Sequence, residues 1–287
     1  QDFDNDGWLD LFVANGWLQA APEITNALKT ENKLLLNQGG GRAFLDASRS
    51  SRIATGFRSR GVAFADYDLD GDIDILVGNA DRALELWRND SPNNNGAVFL
   101  ELRGQESNPR GRGTWVEADI PGATLLREVG TEPAYQTQGE PIVHIGIGTA
   151  LQIDELRLKW LSGIEQRLVH MVAGARLEVV EPLVTVDFVS APTSIRAGQT
   201  ITVSVTLEEE AGRTRTADLS VELQDSDGVP LVTQSLSQAV SGGARLSLDV
   251  DITAPPVVGS EGLILVVSSE DAEGGLDQWS RTLVRSP

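Results

Sequence analysis

The chain has 287 residues, of which 42 are Asp or Glu and 23 are Lys or Arg, so its formal net charge is −19. A surface this acidic repels phosphate groups, which argues against a nucleic-acid partner and against attachment to an anionic membrane. Cysteine is absent and only His144 and His170 supply imidazole, so disulfides and thiolate metal sites are excluded and a zinc site has little material. No apolar run approaches the roughly 20 residues that span a bilayer, and we expect no membrane insertion.

Short apolar runs bounded by turn residues predict strands along the first two thirds of the chain. Each run stops at Gly, Asn, Asp or Pro, as strands of an antiparallel sheet do. The best helical candidate is an insertion between strands at 22–33, where the helical periodicity is weak. The predicted strands are 9–16, 72–79, 97–104, 116–120, 142–148, 155–160 and 176–181.

The composition shifts near Pro182, and the rest of the chain is predicted to form a sandwich. Seven further strand-like runs follow one another with turns at regular spacing, which is the pattern of an immunoglobulin-like fold. Without cysteine, such a sandwich is held by its core alone. The runs are 185–190, 199–207, 217–225, 230–236, 244–252, 262–269 and 278–284.

Two segments that begin 64 residues apart share one arrangement of acidic residues. Each has Asp at relative positions 1, 3, 5 and 9 and Gly at position 6, and each runs directly into an apolar strand. Alternate Asp side chains on a tightly curled loop converge on one point, and the Gly permits the sharp turn. The candidate ligands are Asp2, Asp4, Asp6 and Asp10 in the first loop, and Asp66, Asp68, Asp70 and Asp74 in the second.

These two acidic loops are predicted to bind Ca²⁺. Oxygen ligands in this number and flexibility suit Ca²⁺, whereas Mg²⁺ demands a tighter octahedron and keeps its waters. At position 7 the backbone carbonyl is expected to turn inward, so Trp8 and Asp72 each add a main-chain oxygen. An EF-hand would need Glu at position 12, where Val13 and Val77 stand. Plain acidic turns are the other alternative, but turn chemistry gives no reason for four Asp at these intervals.

The loops and their strands resemble FG-GAP (VCBS-type) repeats, the calcium-binding blades of integrin-like β-propellers. Residues 61–79, GVAFADYDLDGDIDILVGN, follow that pattern from its first strand through the loop. Residues 97–181 resemble the ASPIC/UnbV domain of chains similar to cartilage acidic protein, which often follows such repeats. The resembling motifs are LREV at 126–129, AYQTQ at 134–138, HIGIG at 144–148, WLSG at 160–163 and LEVVE at 177–181.

Together these features predict an all-β chain in three parts. They are FG-GAP-like blades of a partial β-propeller at 1–96, an ASPIC/UnbV-like β domain at 97–183 and an immunoglobulin-like β-sandwich at 184–287. A propeller closes with about four to eight blades. Because two repeats are too few and the chain opens inside the first loop, we expect either upstream blades or a partner that supplies the missing strand.

We expect the chain not to be an enzyme. It has no nucleophile elbow, phosphate-binding loop, zinc-protease motif or dinucleotide fingerprint, and its Asp residues are assigned to the metal. His144 lies in an apolar strand and is expected to be structural. Arg127 and Glu128 are expected to form cross-strand pairs on a solvated face rather than to contact a ligand.

The sequence therefore predicts a secreted or cell-surface adhesion module with two Ca²⁺ sites, which binds a protein or glycan outside the cell. The alternative is a structural subunit that binds copies of itself in an extracellular fibre or surface layer. A blade without its first strand leaves an edge that invites strand addition from a neighbour. A third possibility, an accessory domain of a larger secreted enzyme, depends on sequence upstream of Gln1.

Overall fold

The computed structural model describes residues 1–16, 31–39, 43–80, 82–130, 137–256 and 263–285. These residues form 21 strands and no α-helix, which confirms the predicted all-β class. Nothing in these ranges forms a helix that could span a lipid bilayer. Of the predicted helix at 22–33, residues 22–30 lie outside the described residues, and Lys33 begins a strand.

Each of the 14 strands predicted from the sequence overlaps an observed strand. The first ten are β1 (Leu11–Val13), β2 (Lys33–Asn37), β3 (Phe44–Asp46), β4 (Ser59–Ala65), β5 (Asp74–Asn79), β6 (Glu85–Trp87), β7 (Gly96–Arg103), β8 (Trp115–Ile120), β9 (Ala123–Glu128) and β10 (Ile142–Gly148). The others are β11 (Gln152–Lys159), β12 (Glu165–Val172), β13 (Arg176–Val180), β14 (Val184–Ser190), β15 (Ser194–Ile195), β16 (Thr200–Glu209), β17 (Arg215–Gln224), β18 (Pro230–Val240), β19 (Arg245–Thr253), β20 (Leu263–Asp271) and β21 (Leu276–Arg285).

Strands that the sequence patterns did not reveal are mostly short or irregular. β3 and β6 have three residues each, which is too short for an alternation of polar and apolar residues to show. In β12, His170 has a φ of 58°, and this left-handed residue interrupts the regular alternation of the strand. The remaining strands outside the 14 predicted ranges are β2, β9 and β15, together with β4, which only the resemblance of residues 61–79 indicated.

The chain divides into two compact units. The first comprises residues 1–100, 120–152 and 172–177, and the second comprises residues 101–119, 153–171 and 178–287. The predicted domain boundaries after residues 96 and 183 stay predictions.

In the first unit, two three-stranded antiparallel sheets share a hydrophobic core. β2 lies between β1 and β3, and β5 lies between β4 and β6. Ile75 and Val77 of β5 are buried in this core together with Phe3 of the first acidic loop. Because the chain enters β1 and β5 directly from the acidic loops, the two sheets hold the loops in place.

In the second unit, two sheets enclose a core of their own. β16 lies between β14 and β19, and the other sheet has the strand order β15-β21-β20-β17-β18. Burial alternates along β17, where Leu219, Val221 and Leu223 face the core and the residues between them are more exposed. A further sheet of this unit places β11 between β12 and β8.

Candidate metal centre

The two acidic loops adopt the same backbone conformation. In the first loop Asn5 and Gly7 have φ values of 56° and 96°, and at the equivalent positions of the second loop Leu69 and Gly71 have 63° and 98°. Glycine enters the left-handed region without the steric cost that a side chain brings, so the Gly at relative position 6 suits this turn. The repeat in the sequence is therefore also a repeat of backbone geometry.

The first Asp of each loop stabilises the loop conformation by accepting backbone hydrogen bonds. Asp2 is completely buried, and its carboxylate accepts the backbone N–H of Asp6 at 3.2 Å and that of Gly7 at 2.9 Å. The second loop repeats both bonds, which run from Asp70 N to Asp66 Oδ1 at 3.1 Å and from Gly71 N to Asp66 Oδ2 at 3.1 Å. The loop conformation thus depends on this carboxylate whether or not it also binds a metal.

The last Asp of each loop joins the start of the loop to a later part of the sheet. Asp10 accepts Phe3 N at 2.7 Å and Asn37 N at 2.7 Å, and Asn37 donates its side-chain amide to Leu9 O at 3.1 Å. The second loop has the equivalent bonds: Tyr67 N to Asp74 at 3.0 Å, Asn89 N to Asp74 at 2.7 Å and Asn89 Nδ2 to Ile73 O at 3.2 Å.

Asn37 and Asn89 are site residues that the sequence patterns did not reveal. A signal was present, since an Asn closes each of the runs LLLN and LWRN. However, the two Asn residues follow their Asp partners by 27 and 15 residues. The spacing between the two Asn residues therefore differs from the 64 residues that separate the two loops. Only the folded sheets bring them to equivalent places.

Three carboxylates converge in each loop. Relative positions 1, 3 and 9 each contribute one oxygen, and these oxygens lie within 4.8 Å of one another. The two triplets are Asp2, Asp4 and Asp10 in the first loop, and Asp66, Asp68 and Asp74 in the second. The structure therefore brings together six of the eight carboxylates that the sequence proposed as ligands.

The predicted ligands at positions 5 and 7 make local contacts with each other. Asp6 Oδ1 accepts the backbone N–H of Trp8 at 2.8 Å, and Asp70 Oδ1 accepts that of Asp72 at 3.0 Å. Asp6 and Asp70 lie outside the two triplets. They stay predicted ligands, as do the carbonyl oxygens of Trp8 and Asp72.

Burial raises the pKa of several carboxyls in the loops. It brings the pKa of Asp2 to about 7 and that of Asp10 to about 6. It also raises the pKa of Asp4, and in the second loop burial together with neighbouring carboxylates raises the pKa of Asp72 to about 6. A nearby cation favours the ionised form of carboxyls that are crowded and desolvated in this way.

An arginine lies beside the first Asp of each loop. The Arg127 guanidinium is 3.8 Å from the Asp2 carboxylate and donates to Gly7 O at 3.1 Å, and the Arg127 side chain is only 10% exposed. Arg176 forms an ion pair with Asp66. The expectation that Arg127 lies on a solvated face is therefore wrong, because its contacts with the first loop bury it.

The donor set fits a hard divalent cation. Every atom of the two triplets is a carboxylate oxygen, the ligand type that Ca²⁺ prefers. Asp4 Oδ1 is buried and accepts no hydrogen bond from the residues described. Buried polar atoms normally have a partner, and a bound cation would provide one for this oxygen. Arg127 lies beside the first triplet, and Arg176 and Arg88 lie beside the second. Each triplet still keeps an excess of negative charge, which a divalent ion would neutralise.

Comparison with known families agrees with these features. Residues 2–77 match the family described as FG-GAP-like repeat. Both acidic loops lie in this FG-GAP-like segment. Residues 104–185 match the family described as ASPIC and UnbV. These matches confirm the FG-GAP and ASPIC/UnbV parts of the resemblance, and no curated protein matches the chain.

Among solved structures, the sporulation control protein Spo0M from Bacillus subtilis is similar with 12% identity and a TM-score of 0.30, over 37% of this chain and 50% of that one. A DUF3823 family protein from Bacteroides ovatus is similar with 11% identity and a TM-score of 0.31, over 67% of this chain and 98% of that one. The chain thus spans half the length of Spo0M.

A cavity of about 450 Å³ opens beside the first loop of the FG-GAP-like segment. Phe3, Ile53 and Ile75 contribute to its largely apolar wall, and Asp4 and Trp87 line it as well. The indole N–H of Trp87 is buried, and no group in the described ranges accepts it. Cavities of this size with a few polar groups in an apolar wall are typical of ligand sites.

Proposed function

We propose that this chain is a secreted, non-catalytic binding and adhesion module that Ca²⁺ stabilises at two sites. The proposal is carried by the repetition of one loop geometry. Six hydrogen bonds recur at equivalent positions of the two acidic loops, and both loops bring three carboxylate oxygens within 4.8 Å. Two unrelated acidic turns have no physical reason to share this arrangement.

We assign each ion four carboxylates and one backbone carbonyl. The ligands are Asp2, Asp4, Asp6, Asp10 and the Trp8 carbonyl in the first loop, and Asp66, Asp68, Asp70, Asp74 and the Asp72 carbonyl in the second. Two carboxylate charges at the 4.8 Å limit repel each other by on the order of 3 kcal/mol at an effective dielectric constant of about 20. A bound Ca²⁺ converts this repulsion into attraction, which makes the curled loops rigid.

Location outside the cell suits such sites. FG-GAP-like repeats are typical of extracellular and surface proteins, and this supports export of the chain. Extracellular Ca²⁺ modules bind with dissociation constants of about 10⁻⁴ to 10⁻³ M. Sites of that affinity fill at the Ca²⁺ concentration outside cells and remain empty at cytosolic levels.

The partner is proposed to be a protein or glycan, or a further copy of the chain, and neither nucleic acid nor a membrane. The FG-GAP-like and ASPIC/UnbV segments support an extracellular type of protein-interaction module. The cavity beside the first loop supports a binding role, because its size and its largely apolar wall with some polar residues are typical of ligand sites. The non-catalytic assignment rests on the lack of any catalytic motif in the sequence.

The carboxyl-terminal part is proposed to be an immunoglobulin-like sandwich that acts as a spacer or contact surface. Two features support this proposal. The three strands β14, β16 and β19 form one sheet, and β17, β18, β20 and β21 lie in the other, which matches how such domains distribute seven strands. In addition, β15 pairs in parallel with β21, so the first part of this segment contributes to both sheets.

Calorimetric titration with Ca²⁺ tests the proposed sites. We expect two bound ions for the unaltered chain and one for each of the variants Asp4→Ala and Asp68→Ala. Asp227→Ala is the matched control, because Asp227 is exposed in an acidic turn that also contains Gly but lies in the second unit. Equal Ca²⁺ uptake by all four proteins would refute the ligand assignment.

Self-assembly is the second candidate function, and the edge strand β1 favours it. In the described part of the chain β1 pairs only with β2, and Leu11 and Val13 on β1 are 49% and 41% exposed. A strand from another copy could add to this edge. Light scattering at saturating Ca²⁺ distinguishes the two functions: assemblies that disappear in Val13→Lys support strand addition, and a monomer at high concentration contradicts it.

A further inference from the structure

Asn5 connects the two acidic loops. It belongs to the first loop, where it is 2% exposed and has a left-handed φ of 56°. Its side-chain amide donates to Asp72 Oδ1 at 2.7 Å and to Gly71 O at 3.2 Å, both in the second loop. A single buried amide therefore touches relative positions 6 and 7 of the neighbouring loop.

Strand β10 anchors both the side chain and the backbone of Asn5. Its Oδ1 lies 2.8 Å from His144 Nε2, and its backbone carbonyl accepts the N–H of Gly148 at 2.8 Å. Because Asn5 Nδ2 donates to the second loop, its Oδ1 must accept, and His144 must carry its proton on Nε2. Both the neutral imidazole and the imidazolium can carry this proton, and burial favours the neutral form because it lowers the pKa of His144 to about 3.

The position of Asn5 in the first loop makes it sensitive to an ion there. It stands between Asp4 and Asp6, which are two of the proposed ligands. When these carboxylates close on a cation, the backbone of Asn5 is fixed between them. Its amide then fixes Gly71 and Asp72, the residues that shape the carbonyl position of the second loop.

Only the first loop has a polar side chain at this position. The residue equivalent to Asn5 in the second loop is Leu69, which has a φ of 63° and is 70% exposed. A leucine side chain has no hydrogen-bonding group, so it cannot form the same link. The two loops thus share a backbone conformation, and the buried amide is the feature that distinguishes them.

We propose that the two loops bind Ca²⁺ cooperatively and that Asn5 is the positioning residue that couples them. This inference rests on the proposed function, since it needs both loops to bind the ion. Coupling between sites in proteins is typically about 5- to 150-fold in affinity. Because only two hydrogen bonds link the loops, we expect a coupling near the lower end of this range. Binding at one loop should raise the Ca²⁺ affinity of the other by about fivefold to tenfold.

Calcium titrations of the full chain, with one loop inactivated at a time, measure this coupling. Asp68→Ala leaves only the first loop active, and Asp4→Ala leaves only the second. The product of the two stepwise binding constants of the unaltered chain is then compared with the product of the two single-loop constants. We expect the former to be about fivefold to tenfold larger, and a ratio of one would overturn the coupling.

Asn5→Gly tests the role of the amide itself. Glycine tolerates the left-handed backbone, so this variant removes the side chain without adding strain. We expect the ratio to fall toward one in Asn5→Gly, where only the Asn89 amide still bonds to both loops, and to stay unchanged in the matched control Leu69→Gly. Equal ratios in Asn5→Gly and the unaltered chain would refute the role of Asn5. If Asn5→Gly does not fold, the ratio measured on the unaltered Asn5 background still decides whether the loops are coupled.

The titrations distinguish a chain without calcium sites from a chain whose calcium sites are not coupled. A chain that takes up no Ca²⁺ at either loop refutes the proposed function, and the coupling with it. Two loops that bind with the same constants alone and together leave the calcium sites intact and refute the coupling only.

Discussion

Asn89 donates its side-chain amide both to Phe3 O in the first acidic loop, at 2.7 Å, and to Ile73 O in the second, at 3.2 Å. Asn89 and Phe3 are separated by 86 residues, yet this bond joins the sheet of the second loop to the start of the first. The side chain of Asn89 therefore holds together the two places where the acidic residues are proposed to bind the ion.

Replacing Asn89 is expected to destabilise the chain. Asn89→Ala keeps the backbone N–H that donates to Asp74, but it leaves the carbonyls of Phe3 and Ile73 without this donor. We expect the free energy of unfolding to fall by about 1–3 kcal/mol. Urea unfolding measures the change, and Asn94→Ala at an exposed position is the control. Equal stability of the two variants would contradict the structural role of Asn89.

Removal of Ca²⁺ is expected to lower the thermal stability. At a dissociation constant of about 10⁻⁴ M and about 1 mM free ion, each site adds about 1.4 kcal/mol. Thermal unfolding with and without EGTA measures this contribution. The double variant Asp4→Ala/Asp68→Ala should show no response to EGTA, whereas the control Asp227→Ala should respond as the unaltered chain does. A midpoint that EGTA leaves unchanged in the unaltered chain would count against both sites.

Arg176 is expected to weaken Ca²⁺ binding while it stabilises the empty loop. Its guanidinium pairs with Asp66 and stacks on the ring of Phe99 at 4.0 Å. In Arg176→Met a like charge near the ion is removed, so we expect the affinity of the second loop for Ca²⁺ to rise by about threefold to tenfold. The unfolding midpoint in EGTA should fall.

The control for this prediction is Arg103→Met, because Arg103 forms an exposed ion pair with Glu178 at 2.6 Å. That variant should change neither the Ca²⁺ affinity nor the midpoint by a measurable amount. A loss of Ca²⁺ affinity in Arg176→Met would show that the arginine assists the ion instead of competing with it.

Glu181 is a fully buried carboxylate in the second unit that several donors hold in place. Its Oε2 accepts the backbone N–H groups of Gln105, Glu106 and Ser107 at 2.7, 2.9 and 2.8 Å, and its Oε1 accepts the hydroxyl of Ser162 at 2.5 Å. A glutamine would turn two N–H donors toward these groups in place of one acceptor oxygen.

We therefore expect Glu181→Gln to lower the free energy of unfolding by about 2–3 kcal/mol. Glu178→Gln is the control, because Glu178 is half exposed and pairs with Arg103 at the surface. Chemical unfolding of both variants measures the difference. A loss in Glu181→Gln no larger than that in the control would show that the buried donors do not depend on the charge.

Asp277 is expected to make the stability of the second unit depend on pH. It is completely buried and accepts the backbone N–H groups of Arg167 and Val186, and burial raises its pKa from 3.8 to about 7. Between these two values the folded chain binds more protons than the unfolded chain, so stability falls as the pH rises. The slope has an upper limit of roughly 1.4 kcal/mol per pH unit.

The variant Asp277→Asn isolates this effect, because an asparagine does not titrate. We expect the difference in unfolding free energy between the unaltered chain and Asp277→Asn to fall steadily from about pH 4 to about pH 7. The titration of all other groups cancels in this difference where they lie far from residue 277. A difference that does not vary with pH would contradict the raised pKa.

Local patterns in the sequence were sufficient for the strands and for the acidic loops. The alternation along β17 and the runs that end at Gly or Asn predict strands, because side chains on successive strand residues face opposite sides of a sheet. The spacing of Asp66, Asp68 and Asp74 around Gly71 predicts their convergence, since neighbours within nine residues have few ways to arrange themselves around a left-handed glycine.

Long-range partners were not accessible in this way. Arg176 reaches Asp66 across 110 residues, and nothing in the spacing of charges distinguishes it from an arginine on a solvated face. Asn37 and Asn89 occupy equivalent places at unequal distances along the chain, so a search for repeats passes over them.

The sequence by itself thus determined the all-β class, the position of most strands and the convergence of three carboxylates in each acidic loop, because these depend on contacts between residues that are close along the chain. Only the tertiary structure decided which arginine and asparagine side chains contact the loops. It also showed that Asn5 joins one loop to the other. The physical reason is that buried polar groups must find partners, and after folding the nearest partner in space is often remote in sequence.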